Sequence, residues 1–485
     1  MHNLLIKFQK YLNYTHRLVK HEFLQNWQEC VSLQPQLLKQ HILFMTLKLP
    51  LSRETRQLGS MALPIIFSSL LQLSYEVIDM LWVGYLGSDE VAAVGTSSFY
   101  IKFGWALVSM VIMGSTVLVS HCVGAKDDSA KQAVVSTAIR ANLVVGLCYA
   151  AILFIFPGVL IQFFNLDNMR VTELATTYLR ISSAIIPFAF VNMLLGGFFN
   201  AHGMTKESFR AGLCGNVINV LLDPLFILTF GLGVAGAAWA TLIAQICTTV
   251  FFLYRTRKLQ LFRFSLQGFA FERLRRILKI GSATAAQRIL FTGIAMIIAR
   301  IISSWGAEAI AAQKLGLQIE ALSFMLMGGI MQATSILVGQ RFGEKNAEAI
   351  RTVYRSGLRG ALLISTLSTL FFLCFDRSLI ALFVDDVATI DIGASYIRII
   401  AFSQLFMAIE MISGGSYNGL GLTKYPATVS ILFTSIRIPL SLFLAYQTPL
   451  GLDGVWWSIA ISSMLKGTLL YVLFQHRLKN LEKIL

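Results

Sequence analysis

Acid sits where acid is costly. The stretch from Met61 to Gly87 is long enough to cross a bilayer, which takes about 20 residues, yet it contains Glu76 and Asp79. A carboxylate at mid-membrane costs about 2.5–3.5 kcal/mol on insertion scales, so such residues face protein or an aqueous cavity. Gln72, Glu76, Asp79 and Val83 follow at spacings of three and four and share one helix face, expected to look into a bundle. In a later apolar stretch Asn216, Asn219 and Asp223 share a face in the same way, directly before Pro224. The proline ring removes one backbone hydrogen bond and frees nearby carbonyls. Thr241 and Gln245 lie one turn apart in the next stretch. Carboxylates, amides and a hydroxyl make an oxygen-rich set that suits a hard cation such as Na⁺, and a proton equally needs a carboxylate. The expected chemistry is reversible H⁺ or Na⁺ binding. Its rival is a purely structural role as interhelical bonding, weightier for Glu76, Glu320 and Glu410 than for Asp79 and Asp223.

These residues need a membrane scaffold, and the composition supplies one. The 485 residues are 56% hydrophobic and only 13% charged, against about 25% charged in soluble domains, and the mean hydropathy is +0.68. The reading is an all-α polytopic membrane protein. Glycine is frequent, as close helix packing favours. The six cysteines have neither metal-ligand nor disulfide spacing and read as small apolar packers. Gly231-Leu-Gly233-Val-Ala-Gly236 spells a dinucleotide fingerprint, but no strand precedes it. No P-loop, metal cluster or nucleophile elbow occurs, so neither an ATP-driven pump of that type nor an enzyme is expected, and no cofactor beyond the coupling ion. His121 and His202 read as solvated residues of short basic loops.

About twelve spans are expected, near 61–83, 92–120, 133–157, 175–199, 209–230, 234–254, 278–303, 309–338, 352–375, 393–416, 425–446 and 452–475. The net charge of +15 is placed asymmetrically. Lys126, Lys131, Lys206, Arg210, Arg341, Lys345, Arg351, Lys424 and Arg477 fall on one side; Asp89, Glu90, Asp167, Glu308, Asp385 and Asp453 fall on the other. This predicts a multi-pass protein of the inner (plasma) membrane with both termini cytoplasmic, its partners being lipid and small organic substrates rather than nucleic acid. A monomer is expected. Residues 1–60 read as a cytoplasmic tail, disordered or amphipathic, or as an untranslated extension. The lobes are expected at 61–254 and 278–476, joined by a polar loop over 255–277 and ending in a tail at 477–485.

The halves repeat. Tyr178-Leu-Arg180-Ile answers to Tyr396-Ile-Arg398-Ile, and Asn200-Ala-His-Gly203-Met-Thr205-Lys206 to Asn418-Gly-Leu-Gly421-Leu-Thr423-Lys424. Gly233-Val-Ala-Gly236-Ala-Ala-Trp239 answers to Gly451-Leu-Asp-Gly454-Val-Trp-Trp457, all at one offset of about 218 residues. Six spans per half give both halves the same orientation, related by a pseudo-two-fold axis along the membrane normal with a cleft between them, a transporter architecture. The halves differ in charge. Asp79 meets Ile298 at the repeat offset, and Arg437-Ile-Pro439 stands near the counterpart of Asp223. Ion binding is therefore assigned to the first half.

Pro64…Asp79-Met-Leu-Trp-Val-Gly-Tyr-Leu-Gly87, Val91-Ala-Ala-Val-Gly95, Val123-Gly-Ala-Lys126, the paired Asn-x-x-Gly-x-Thr-Lys motifs and Asn219-Val-Leu-Leu-Asp223-Pro224 together resemble the multidrug and toxic compound extrusion (MATE) family, most closely its DinF-like branch. The resemblance covers about Met61 to Lys479. It implies a twelve-helix antiporter of two six-helix lobes that expels organic, often cationic, compounds in exchange for H⁺ or Na⁺. It also implies that Asp79 is the coupling carboxylate, that Asn219, Asp223 and Thr241 complete the cation site (Na⁺ included), and that Pro64 kinks the first helix. Gln72, Glu76, Asn192, Asn216 and Gln245 are the further polar residues expected along the cleft. Other branches carry acids in the seventh and tenth helices. Here the seventh has Gln287 and Glu410 matches poorly, so no second-lobe ion site is expected. The alternative is a flippase for a lipid-linked precursor from the related exporter superfamily.

Overall fold

The computed structural model describes residues 52–166, 168–262, 270–483 and 485; the expected tail up to Leu51 lies outside them. Among the described residues eleven helices are long and apolar enough to span a membrane, and one bent pair makes a twelfth crossing. They are α1 (Arg53–Leu86), α2 (Ser88–Ala125), α3 (Asp128–Ile155), α4 (Met169–Ala201), α5 (Thr205–Pro224), α6 (Gly233–Leu259), α7 (Phe271–Ile302), α8 (Ala307–Gly343), α9 (Ala347–Ala381), α10 (Val387–Ala401 and Gln404–Gly419), α11 (Lys424–Tyr446) and α12 (Leu452–Lys479).

Two expected boundaries move. Helix α1 begins at Arg53, inside the stretch read as tail, because the Ser52 hydroxyl accepts from the Thr55 amide at 3.2 Å and caps it. The polar stretch 255–277 is helical at both ends. Arg257 and Lys258 sit in the last turn of α6, where cations complement the helix dipole, and Arg255 is fixed by Glu207 at 2.7 Å.

Proline and hydroxyl chemistry shapes the crossings. Helix α1 runs unbroken through Pro64, where Ser68 Oγ donates to the Pro64 carbonyl at 2.8 Å. Pro224 ends α5 and a π turn, Leu225–Thr229, follows. Helix α10 bends by 52° at its break. There Thr369 Oγ1 donates to the Ala401 carbonyl at 3.1 Å and Ser403 Oγ to that of Ile400 at 2.8 Å, partnering backbone acceptors that lipid cannot satisfy.

The duplication is visible in the backbone. Gly203 and Gly421 both turn the chain with left-handed φ, +78° and +75°, and Gly233 and Gly451 with +55° and +54°. Gly236 lies against the backbone of Phe226 in the first lobe as Gly454 lies against that of Leu444 in the second, each too close for a side chain. Helices α1–α6 make the first lobe and α7–α12 the second, and α2 meets α7 and α8 while α1 meets α8 and α9.

The lobes touch near the face that carries the basic loops and both described chain ends. Gly124 abuts the Gln340 carbonyl and Gly343 that of His121; Gly281 abuts the Met110 carbonyl and Gly114 that of Ile277. Across the same seam Gln340 Nε2 donates to the Ala201 carbonyl at 2.8 Å and Arg341 to Gln57 at 2.8 Å. This corrects the reading of the two histidines. His121 Nε2 lies 2.7 Å from the Gly419 carbonyl and His202 Nδ1 2.7 Å from that of Phe198, both partly buried. Packing, which periodicity does not report, covers them: His121 meets Gly419 and Phe342 of the second lobe, and His202 the Phe262 ring on its own side.

Candidate functional site

Helix α5 ends inside the first lobe, so its last two turns deliver Asn219 and Asp223 to the interior; both are buried. Asn219 Nδ2 donates to Asp223 Oδ1 at 3.2 Å and to Thr241 Oγ1 of α6 at 3.3 Å. From α1, the Tyr75 hydroxyl shares a hydrogen bond with Thr241 Oγ1 at 3.2 Å. Tyr75 is one turn before Asp79, and Asp79 and Asp223 are within electrostatic reach of each other and of Tyr178 on α4. Four helices thus converge on one cluster.

Its unmet valences define its chemistry. Asp79 Oδ1, Asn219 Oδ1 and Asp223 Oδ2 are buried oxygens without a hydrogen-bond partner among the described residues. Buried polar atoms ordinarily find partners, and an exception marks strain, function or an absent ion or water. No described Lys or Arg pairs with either acid. Converging oxygens without a cation suit a proton or a hard monovalent ion; Asp79, Asn219, Asp223 and Thr241 are the residues that would hold it. No cluster of three or more His, Cys, Asp or Glu occurs among the described residues.

The other expected residues lie elsewhere. Gln72 Nε2 donates to Glu76 at 3.3 Å, both exposed, so the polar face of α1 is covered only at its far end, where Val83 is fully buried. Asn216 Nδ2 donates to the Leu71 carbonyl at 3.2 Å and ties α5 to α1. Asn192 and Gln245 do meet, Asn192 Nδ2 donating to the Gln245 side chain at 2.7 Å while Asn192 Oδ1 accepts from Thr249 at 2.8 Å. That network is separate from the acids. Tyr75 and Tyr178 escaped the sequence reading; spacing marks the first, one turn from Asp79, and the repeat motif contains the second.

The second lobe carries its own polar network. Glu320 on α8 accepts from the Tyr396 hydroxyl at 3.1 Å, and Glu410 on α10 pairs with Lys466 of α12 at 2.9 Å. Lys466 is buried, 7% exposed. Removing one partner of a buried pair strands a charge, which costs about 3–5 kcal/mol, whereas replacing both is often neutral. Lys466→Met is therefore expected to lower the thermal midpoint of detergent-purified protein sharply, and Lys466→Met with Glu410→Leu to recover most of it. A double variant no more stable than the single would show that the pair does not hold α10 to α12.

Twelve spans in two repeated lobes, with acids lacking a basic partner buried inside one of them, define an integral membrane transporter. The MatE family model matches residues 64–225 and 283–443, one block in each lobe. The chain belongs to this family: it is a secondary transporter of the multidrug-efflux type and not an enzyme. It is 27% identical over 429 residues to the probable multidrug resistance protein NorM of Thermotoga maritima, covering 86% of this chain and 92% of that one. To the multidrug export protein MepA of Staphylococcus aureus it is 24% identical over 412 residues, 83% and 90% of the two chains. The fold superposes on the outward-facing conformation of a multidrug resistance MATE family transporter with a TM-score of 0.82 at 23% identity, covering 89% of this chain and 97% of that one.

Proposed function

We propose that this chain exports organic, often cationic, compounds across the inner (plasma) membrane in exchange for inward-moving H⁺ or Na⁺. The cluster of Asp79, Asn219, Asp223 and Thr241 is the coupling site. The observation that carries this reading is the set of three partnerless buried oxygens, on Asp79, Asn219 and Asp223. Both termini are cytoplasmic, so the seam near the basic loops closes the cytoplasmic side and the protein rests open to the outside, acting as a monomer. Ion entry at the acids favours substrate release outside; ion loss to the cytoplasm and substrate binding there return the lobes. The ion drives this only through its unequal affinity for the two states. Asp79, Asn219 and Asp223, with Gln287 rather than an acid in the membrane-spanning part of α7, support assignment to the DinF-like branch.

The test is uptake of a fluorescent organic cation into inverted vesicles under separately imposed proton and sodium gradients. One gradient is expected to drive accumulation. At 100 mV one coupled charge is worth about 2.3 kcal/mol, about fiftyfold. Uptake indifferent to both gradients would refute ion coupling.

A further inference from the structure

Helix α1 opens on two exposed arginines, Arg53 and Arg56. Neither forms an ion pair with a carboxylate of the described residues. With Gln57 and Ser60 they line a groove of about 580 Å³, and no acid is among those lining residues. The nearby acid is already engaged: Arg341 holds Glu344 at 2.7 Å while its Nη2 donates to Gln57 Oε1 at 2.8 Å. Beside the groove, Thr55 Oγ1 meets Ser356 Oγ of α9 at 2.7 Å. Arg359, about a turn further along α9, is exposed as well. The residues before Ser52 carry six Lys or Arg against two Glu, so like charge disfavours them as the occupant.

Past the arginines the same face turns apolar. Arg56, Ser60, Leu63 and Phe67 recur at spacings of four, three and four, one stripe of α1 turned away from the face that carries Asp79. Leu63 and Phe67 are 57% and 54% exposed. On α9, Arg359, Leu363 and Leu367 repeat the pattern at spacings of four, and both leucines are exposed. Behind these stripes the two helices share a core, Leu58, Met61 and Ile65 packing with Ile350, Val353 and Ala361. Arg56 to Phe67 is about 16 Å of helix rise, against about 15 Å of hydrocarbon in one leaflet. Guanidinium groups at the head of an exposed apolar furrow fit an amphiphile, with its anion at one end and its chain along the other. Basic pockets between membrane helices on the cytoplasmic side hold anionic lipid head groups, and the arginine fork matches a phosphate.

We propose that the furrow between α1 and α9 binds an anionic phospholipid of the cytoplasmic leaflet, its phosphate on Arg53 and Arg56 and an acyl chain along Leu63, Phe67, Leu363 and Leu367. This takes from the export reading only the orientation in the membrane. The experiment is native mass spectrometry of purified full-length protein titrated with phosphatidylglycerol and, separately, with phosphatidylcholine. One tightly held phosphatidylglycerol is expected, with phosphatidylcholine at least about tenfold weaker. Arg53→Gln with Arg56→Gln should raise the Kd of phosphatidylglycerol at least about tenfold. Arg257→Gln with Lys258→Gln, an exposed pair on the same basic face, should change it less than about twofold. Glycerol phosphate, the head group without chains, should compete only at concentrations at least about a hundredfold higher. Equal loss in both paired variants would reduce the attraction to general surface charge. Competition by glycerol phosphate at the lipid's own concentration would make this a site for a soluble anion, and wild-type protein without a tight phosphatidylglycerol adduct would leave the groove to another occupant. Each of these overturns the proposal. Neither gradient nor substrate enters the measurement, so failure of the export reading would show in vesicle uptake and not here.

Discussion

Asp79→Asn is expected to reduce ion-driven accumulation of an organic cation to background while leaving the protein folded in the membrane. The substitution preserves shape and one carbonyl oxygen but removes the charge and the site of protonation. Asn also brings two new donors into a cluster whose Asp79, Asn219 and Asp223 each present an oxygen without a donor. Those donors satisfy the acceptors the coupling ion would otherwise meet, so stability should hold or rise, a neutral amide being cheaper to bury than a carboxylate. What disappears is the whole gradient-derived term, about fiftyfold per charge at 100 mV. Glu76→Gln is the matched control: Glu76 is exposed and bonded to its neighbour Gln72, and transport should change less than about twofold, within the range of ordinary surface substitutions. Two outcomes refute the assignment. One is accumulation unchanged in Asp79→Asn; the other is equal loss in both variants.

The contrast between Asp79 and Glu76 shows what the sequence conveys and where it stops. Periodicity put both acids on one face of α1, and that holds as geometry. Whether the face is covered depends on its neighbours at each height, and those come from α5 and α6, distant in sequence. Hence Val83 is buried and Glu76 is not. The Asn219–Asp223 pair was legible because two residues four apart on one helix meet on any helix. Its bond to Thr241, and Tyr75's bond to the same hydroxyl, arise between helices and leave no local trace. The twelve crossings and the duplication were legible because bilayer thickness sets span length and repeated turns need the same glycines. Hydropathy ignores caps and so starts α1 too late; Ser52 sets that boundary. Polarity and the one-turn spacing of Thr241 and Gln245 group Asn192 and Gln245 with the acids; the structure pairs them with each other. In the second lobe the sequence marks Glu410 but not its partner Lys466, since an acid and a base on different helices look like two separate costs until packing joins them.

The second large effect is expected at the seam between the lobes. A Cβ on Gly124 would lie 1.8 Å from the Gln340 carbonyl oxygen, and one on Gly343 2.0 Å from that of His121, a reciprocal pair about the pseudo-two-fold axis. Both obstacles are backbone, so no rotamer change relieves them, and the helices themselves must part. Overpacking of this kind costs about 1–3 kcal/mol per site. In the proposed cycle that cost falls only on the state closed here, because in the other state the lobes have separated. The cluster around Asp79 lies away from the seam, so ion binding is not itself disturbed. Gly124→Ala with Gly343→Ala should therefore shift the resting population by about 2–6 kcal/mol toward the form open on this face. The readout is a cysteine placed at Ser120, which is buried in the seam and 1% exposed, in a background lacking the six native cysteines. Its labelling by a membrane-impermeant maleimide in inverted vesicles should rise at least about tenfold, with gradient-driven export falling in parallel because closing this face now runs uphill. Labelling and export both unchanged would mean that the lobes do not separate here, and the opening of the transporter would have to be sought along another surface.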